Sequence, residues 1–186
     1  MGKLRHPLSI RLFHWLLVPT MLIELLTGFY LTNPSRRLTL PNIRSAKKMH
    51  FINAYLLTGL FVVYLFTRDK AEIIPQSKDL GSRIKKFLAY ELFLTPKKPR
   101  FPKYNPGQKL LYTFWLFLIP FALLLGWLLY FPRFFEKWIV LFGGLNNIRR
   151  LIYLVSVALT LSIAGHVYFG LVNSVKNLKS IFTGRT

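Results

Sequence analysis

The hydrophobic residues of this chain fall into four long segments separated by polar loops. The segments run from about Leu12 to Leu31, from Phe51 to Thr67, from Leu110 to Phe131 and from Leu151 to Val172. Three of them reach the roughly 20 residues that a helix needs to cross a bilayer, and the second is slightly shorter. The pattern therefore predicts an all-α membrane protein, in which a four-transmembrane-helix bundle forms a single domain over residues 1–186.

Two loops contain segments typical of short helices at the membrane interface. The first, residues 79–93, has apolar side chains on one side of a helix: Leu80, Ile84, Phe87 and Leu88. The second, residues 133–142, carries Trp138, a residue type that favours the headgroup region. The alternative for both segments is that they pack on the ends of the bundle.

Composition agrees with a membrane protein and changes the meaning of the charge. Hydrophobic residues make up 53% of the chain, although its net charge is +20. The basic residues lie in the loops, where topology and anionic lipid headgroups account for them. We therefore expect membrane lipid as a partner and no nucleic acid.

The distribution of Lys and Arg predicts the orientation in the membrane. The N-terminus has 3, the loop over residues 68–109 has 11 and the C-terminal tail has 3, whereas the two opposite loops have 5 and 4. Cytoplasmic loops carry the excess of positive charge. We therefore expect a multi-pass protein with both termini and the long middle loop in the cytoplasm.

Because the chain has no cysteine, a metal must be bound by histidine or oxygen ligands. His14 lies just inside the cytoplasmic end of the first predicted helix, and His166 lies about six residues from the cytoplasmic end of the fourth. At 1.5 Å per residue, both are roughly 3–9 Å from the same surface. Two imidazoles at similar depths on different helices can hold a haem iron from both sides.

Residues near these histidines suit a porphyrin. Gly165 and Gly170 remove side-chain bulk on the fourth helix, where a macrocycle would press against the backbone. Arg11 lies about one turn before His14. It either pairs with a haem propionate or serves as an ordinary anchor at the membrane surface.

His50 begins the second predicted helix, on the outer side of the membrane. A partner on the fourth helix would lie about fourteen residues before His166, four turns away, and that residue is Ile152. We therefore expect one haem b, and a second only if His50 finds another ligand. Glu24, in the middle of the first helix, is either a proton relay or a neutral side chain bonded to a neighbouring helix.

Several motifs resemble one family. They are residues 11–15 (RLFHW), 26–28 (LTG), 48–51 (KMHF), 104–109 (YNPGQK) and 165–168 (GHVY). In order and spacing they are similar to the prokaryotic membrane cytochromes b, which are the gamma subunits of formate dehydrogenases and the cytochrome b subunits of nickel–iron hydrogenases. The resemblance covers nearly the whole chain.

The resemblance implies a subunit that carries electrons between an iron–sulfur partner subunit and membrane quinone. It implies that His14 and His166 ligate an inner, cytoplasm-side haem. It also implies that His50 matches one ligand of an outer haem, whose other ligand is replaced here by Ile152. The chain itself would then catalyse nothing beyond the reaction with quinone.

The resemblance further implies a quinone site at the turn before the third helix, using Asn105 and Gly107. Asn105-Pro106-Gly107 is a tight turn with a side-chain amide that can bond a quinone carbonyl. The alternative is a plain helix-entry turn.

Two other classes of function stay open on the sequence. One is a haem-free membrane anchor that recruits a soluble redox enzyme through its loops. The other is a small transporter that uses Glu24 and the histidines as a polar path, although no inverted repeat is visible. The leading hypothesis remains a haem b subunit in a prokaryotic plasma membrane.

Overall fold

The computed structural model describes residues 4–34, 42–67, 69–173 and 175–185, and it describes only the backbone of 172, 173 and 175–177. Within these ranges the chain is helical, with one isolated β-bridge and no strand. The predicted all-α class is confirmed. Most of the predicted loop after the first helix, including Arg36 and Arg37, lies outside the described residues.

Eight α-helices follow one another in the described ranges, and a π-helical turn at Asp79–Arg83 precedes the fourth. The helices are α1 (Leu8–Thr32), α2 (Ile43–Thr67), α3 (Lys70–Ile73), α4 (Ile84–Glu91), α5 (Pro106–Tyr130), α6 (Glu136–Leu141), α7 (Leu145–Asn173) and α8 (Val175–Thr183).

Four of these helices are long and apolar enough to cross a membrane, namely α1, α2, α5 and α7. A helix of 25 residues, such as α1, is about 37 Å long and exceeds the hydrocarbon core of a bilayer. The prediction of four transmembrane helices is therefore confirmed.

The second helix begins at Ile43, about two turns earlier than the apolar segment that predicted it. Its first turns contain Arg44, Lys47 and Lys48, so that hydrophobicity alone does not mark them as helical. The Asn42 side chain caps this end by accepting a hydrogen bond from the Ser45 N–H at 2.8 Å. His50 consequently lies inside α2 and not at its first residue.

The two predicted interfacial segments both contain short helices. Residues 79–93 form the π-helical turn and α4, interrupted at Gly81, whose ψ of −110° is not helical. Leu80 and Leu88 are exposed there. Residues 133–142 contain α6, with Trp138 54% exposed. Their location at a lipid surface stays a prediction.

The described chain divides into two compact units, Met1–Phe66 with Pro120–Thr186, and Thr67–Ile119. The first unit has a core that includes Leu125, Leu128 and Ile148, all fully buried. An aromatic stack joins α2 to the end of α5 within it, with the rings of Phe51 and Tyr130 3.5 Å apart.

The second unit is built around a buried carboxylate. Asp79, only 1% exposed, accepts a hydrogen bond from the Lys109 ammonium group at 2.8 Å and from Arg83 at 3.0 Å. The hydrogen bond from Lys109 holds the pKa of the Asp79 carboxyl well below its usual range. The Asp79 carboxylate also accepts the Gln76 N–H at 3.0 Å, which fixes the turn before α4.

Both termini meet at one end of the first unit. The backbone N–H groups of Arg5 and His6 donate to the Gly184 carbonyl at 2.9 and 3.2 Å, and Leu4 forms a β-bridge with Arg185. Gly184 has a φ of +81°, which a residue with a side chain rarely adopts. The meeting of the termini agrees with an even number of membrane crossings.

Candidate cofactor site

His14 and His166, the two histidines proposed from sequence as axial ligands, come from helices that pack together. His14 lies two turns into α1, and His166 lies near the end of α7. The two helices contact each other, and the imidazoles are near enough to interact electrostatically. The structure thus packs the first spanning helix against the last, and each of them carries one of the two histidines.

The imidazole of His14 has an unsatisfied nitrogen. Its Nδ1 is buried and has no hydrogen-bond partner among the described residues. A buried polar atom without a partner costs about 1–3 kcal/mol, so such atoms are rare in folded proteins unless another group binds there. An imidazole in this state fits the axial coordination of a haem iron.

Open space lies beside the second histidine. A Cβ atom added to Gly165 or to Gly170 would meet no atom within 4 Å. Glycines at these positions leave the backbone of α7 accessible to a flat group. The residues present therefore fit a porphyrin held between α1 and α7.

Arg11 and Trp15, which flank His14, hold the C-terminal helix. Arg11 donates from Nη2 to the carbonyl oxygen of Phe182, and the Trp15 Nε1–H donates to the carbonyl oxygen of Ile181 at 3.3 Å. The rings of Trp15 and Phe182 are 4.6 Å apart. The Nε atom of Arg11 is buried without a hydrogen-bond partner in the described ranges.

This contact with α8 was missed by the sequence analysis, which treated the tail only as a source of positive charge. Val175–Thr183 alternates polar and apolar residues at helical spacing, and that pattern was the available signal. Arg11 and Trp15 thus anchor the nine-residue helix α8 against α1.

His50 belongs to a different environment, in which both ring nitrogens have partners. Its Nδ1 lies 2.8 Å from the Thr27 hydroxyl, and its Nε2 lies 3.2 Å from Oε1 of Glu24. The second oxygen of Glu24 accepts a hydrogen bond from the Asn53 amide at 2.7 Å. Glu24 is thus bonded to the neighbouring helix, one of the two alternatives for this residue.

The polar cluster around Glu24 could have been found from its spacing. Thr20, Glu24 and Thr27 follow one another at helical intervals on α1, and His50 and Asn53 do so on α2. Two polar stripes on apolar helices indicate a polar helix–helix contact. The sequence analysis treated Glu24 and His50 separately and did not consider Asn53.

Asn105 and Gly107 both have structural roles in the turn that begins α5. The Asn105 side-chain oxygen accepts from the Gln108 N–H at 2.8 Å, and the Gln108 side-chain oxygen accepts from the Asn105 N–H at 3.0 Å. This reciprocal pair is a capping box, and Pro106 occupies the first helical position. A Cβ on Gly107 would lie 2.6 Å from the Phe87 ring, so the close contact requires glycine.

These features define a class of protein: an all-α membrane protein whose first and last spanning helices bring two histidines together beside open space. A family model for prokaryotic cytochrome b561 matches residues 5–184. The chain therefore belongs to the prokaryotic cytochrome b561 family, which consists of membrane proteins that bind haem b and transfer electrons. The family resemblance seen in the sequence is confirmed. A search of curated proteins gives no match.

Proposed function

We propose that this chain is the electron-transferring membrane subunit of an oxidoreductase complex and that it binds haem b between His14 and His166. The observation that carries this proposal is the buried, unpartnered Nδ1 of His14 near the second histidine. Electrons pass between the iron–sulfur subunit of a dehydrogenase or hydrogenase and the quinone pool. Family membership supports the electron-transfer role.

Haem b supplies a one-electron redox centre at this site. His14 and His166 would hold the haem iron through their imidazoles, and two protein ligands would leave no site on the iron for oxygen or a substrate, as an electron carrier requires. The apolar residues of α1 and α7 would keep water away from the bound haem. Arg11 has donors beyond the one that binds Phe182, and we assign its buried Nε side to a haem propionate.

The test of the haem site compares spectra and haem content of purified protein. We expect a reduced-minus-oxidised spectrum of low-spin haem b, together with haem bound in the pyridine haemochrome assay. Substituting His14→Leu or His166→Leu removes one ligand and should abolish the bound haem while the protein still inserts in the membrane. Purified protein without visible absorbance would instead favour a haem-free membrane anchor.

The quinone site is proposed at the turn before α5. The capping box uses the side-chain oxygen of Asn105, so the amide nitrogen is the group that we assign to the quinone carbonyl. Asn105→Ser separates the two roles, because serine also caps helices but has no amide donor.

We expect Asn105→Ser to preserve thermal stability and to lower the rate at which quinol reduces the haem. Gln108→Glu is the matched control, since it keeps the side-chain oxygen that accepts the Asn105 N–H. Unchanged quinol kinetics in Asn105→Ser would move the quinone site away from this turn.

For orientation, we propose that the termini and the basic segment 68–109 face the cytoplasm, where the iron–sulfur subunit delivers electrons. The native chain has no cysteine, so the reactivity of one introduced cysteine shows on which side of the membrane that residue lies. Leu94→Cys is expected to react with a membrane-impermeant thiol reagent only after the cells are opened, whereas Phe134→Cys should react in intact cells. The native residues at these positions are 76% and 82% exposed. The reverse result would invert the topology.

A further inference from the structure

A cluster of four polar side chains and one backbone carbonyl joins α1 to α2 within the first unit. The side chains are Glu24, Thr27, His50 and Asn53, and the carbonyl is that of Thr20. Glu24 lies eight residues before the end of α1, and His50 lies seven residues after the start of α2. At 1.5 Å per residue, these are depths of about 12 and 10 Å from the ends of the two helices that the outer loop joins.

One ring nitrogen of His50 is engaged by the Thr27 hydroxyl. The hydroxyl oxygen lies 2.5 Å from the Ile23 carbonyl oxygen and 2.8 Å from Nδ1 of His50. When the hydroxyl donates its one proton to Ile23, it accepts from Nδ1, and when it donates to His50, Nδ1 accepts. In either tautomer the Nδ1 atom is bonded to Thr27 and is not free to bind a metal.

The other ring nitrogen is occupied by the carboxyl group of Glu24. Either Glu24 is protonated and donates to Nε2, or Nε2 carries a proton and donates to the Glu24 carboxylate. In both cases Nε2 is engaged. Asn53 completes the cluster by donating to Glu24 at 2.7 Å and to the Thr20 carbonyl at 2.8 Å.

The neighbourhood of His50 also has little room for a porphyrin. A Cβ on Gly28 would lie 3.4 Å from Cε1 of the His50 ring, so α1 lies directly against it. On α7, Ile152 offers no donor atom, and its Cδ1 lies 4.0 Å from a Cβ built on Gly126 of α5.

We infer that Glu24, with Thr27 and Asn53, converts His50 from an outer-haem ligand into part of a polar contact between α1 and α2. The residues around His50 do not fit a haem, whereas those around His14 do. The chain is therefore a one-haem protein in which electrons are confined to the inner side of the membrane. The number of haems, one per chain, rests on the proposed inner haem; the absence of a haem at His50 does not.

The decisive measurement is the ratio of haem to protein in the purified native chain, combined with a redox titration. We expect one haem per chain and a single one-electron component. The variants His50→Gln and Glu24→Gln should keep that ratio, the position of the haem absorption bands and the midpoint potential. His50→Gln should lower the thermal stability of the protein in detergent, because one glutamine amide does not reach Thr27 and Glu24 from the positions of both ring nitrogens. Glu24→Gln should have a smaller effect, because its side-chain oxygen can still accept from Asn53 and its amide group can donate to His50.

Each result has a separate meaning. Two haems per chain, with one of them lost in His50→Gln, would overturn the inference and leave the inner haem intact. No haem at all in the native chain would overturn the proposed function instead. His166→Leu is the internal control. This variant should contain no haem, whereas His50→Gln should contain as much haem as the native chain. If a His50 variant fails to insert, the native ratio alone still decides.

Discussion

Two histidine neighbourhoods, one between α1 and α2 and the other between α1 and α7, differ in one respect. Around His50, every polar atom of the ring has a partner, supplied by Thr27 and Glu24. Around His14, a ring nitrogen is buried without one in the described residues. We call the first arrangement closed and the second open.

The difference shows how a structural histidine can be distinguished from a ligand in a membrane helix. A buried polar group in an apolar environment is costly unless it is bonded. A closed arrangement has already met that cost within the protein, whereas an open one requires a further partner. The location of a histidine on a spanning helix does not separate the two by itself. On the sequence they differ because His166 can pair with His14, whereas Ile152 stands where His50 would need a partner.

The largest effect is expected at Asp79, in the second unit. Its buried carboxylate has all its partners within the protein, so this arrangement is closed in the same sense as that around His50. Asp79→Leu leaves the Lys109 ammonium group, which is 8% exposed, without its carboxylate. Breaking a buried ion pair in this way costs about 3–5 kcal/mol. We expect a loss of that size in the free energy of unfolding measured in detergent micelles.

Arg83→Leu is the matched control for Asp79→Leu. Arg83 also bonds Asp79, but its side chain is 35% exposed, and an exposed pair contributes about 0–1 kcal/mol. Equal losses in the two variants would show that the stability of the second unit does not depend on the buried Lys109.

Substitutions of two glycines, Gly28 beside His50 and Gly165 beside His166, are expected to have opposite effects on stability and haem binding. Gly28→Leu pushes a side chain against His50 and should destabilise the fold by about 1–3 kcal/mol without changing the haem content. In Gly165→Leu the new side chain enters open space, so the stability of the haem-free protein should be unchanged. Its haem affinity should fall at least about tenfold, or 1.4 kcal/mol, because leucine occupies space assigned to the porphyrin.

The two glycine variants are compared by haem titration of the haem-free protein and by thermal unfolding. Similar behaviour of both would mean that the space beside Gly165 belongs to lipid and not to a cofactor. The distinction between an open and a closed histidine would then have no support from packing.

Much of the fold followed from the sequence because apolar runs mark spanning helices directly. The start of α2 did not, since Arg44, Lys47 and Lys48 are polar residues inside the helix, which extends beyond its apolar run. The proposed pairing of His14 with His166 rests on their similar predicted depths, and it stays a prediction. The pairing of His50 with Glu24 was not predicted, because it depends on which faces of α1 and α2 meet.

The turn before α5 shows a different limit of sequence reasoning. Asn105 and Gly107 were predicted as quinone contacts from a resemblance, and the sequence also allowed a plain helix-entry turn. The capping box with Gln108 and the packing of Phe87 on Gly107 give both residues a structural reason to be there. The packing partner of Gly107 lies about 20 residues away in sequence, and no local pattern reveals it.

The smallest expected effect is a dependence on pH of the stability that the Asp79 cluster contributes. The pKa of Asp79 is lowered in the folded protein by the hydrogen bond from Lys109, whereas an unfolded Asp titrates near 3.9. Its stabilising contribution is therefore complete above about pH 5 and declines as the pH falls through 4, by about 1 kcal/mol at pH 3. Unfolding of the native chain and of Asp79→Asn, measured between pH 6 and 3, should differ less at the acidic end. A difference that stays constant over this range would show that Asp79 is not an ionised member of its cluster.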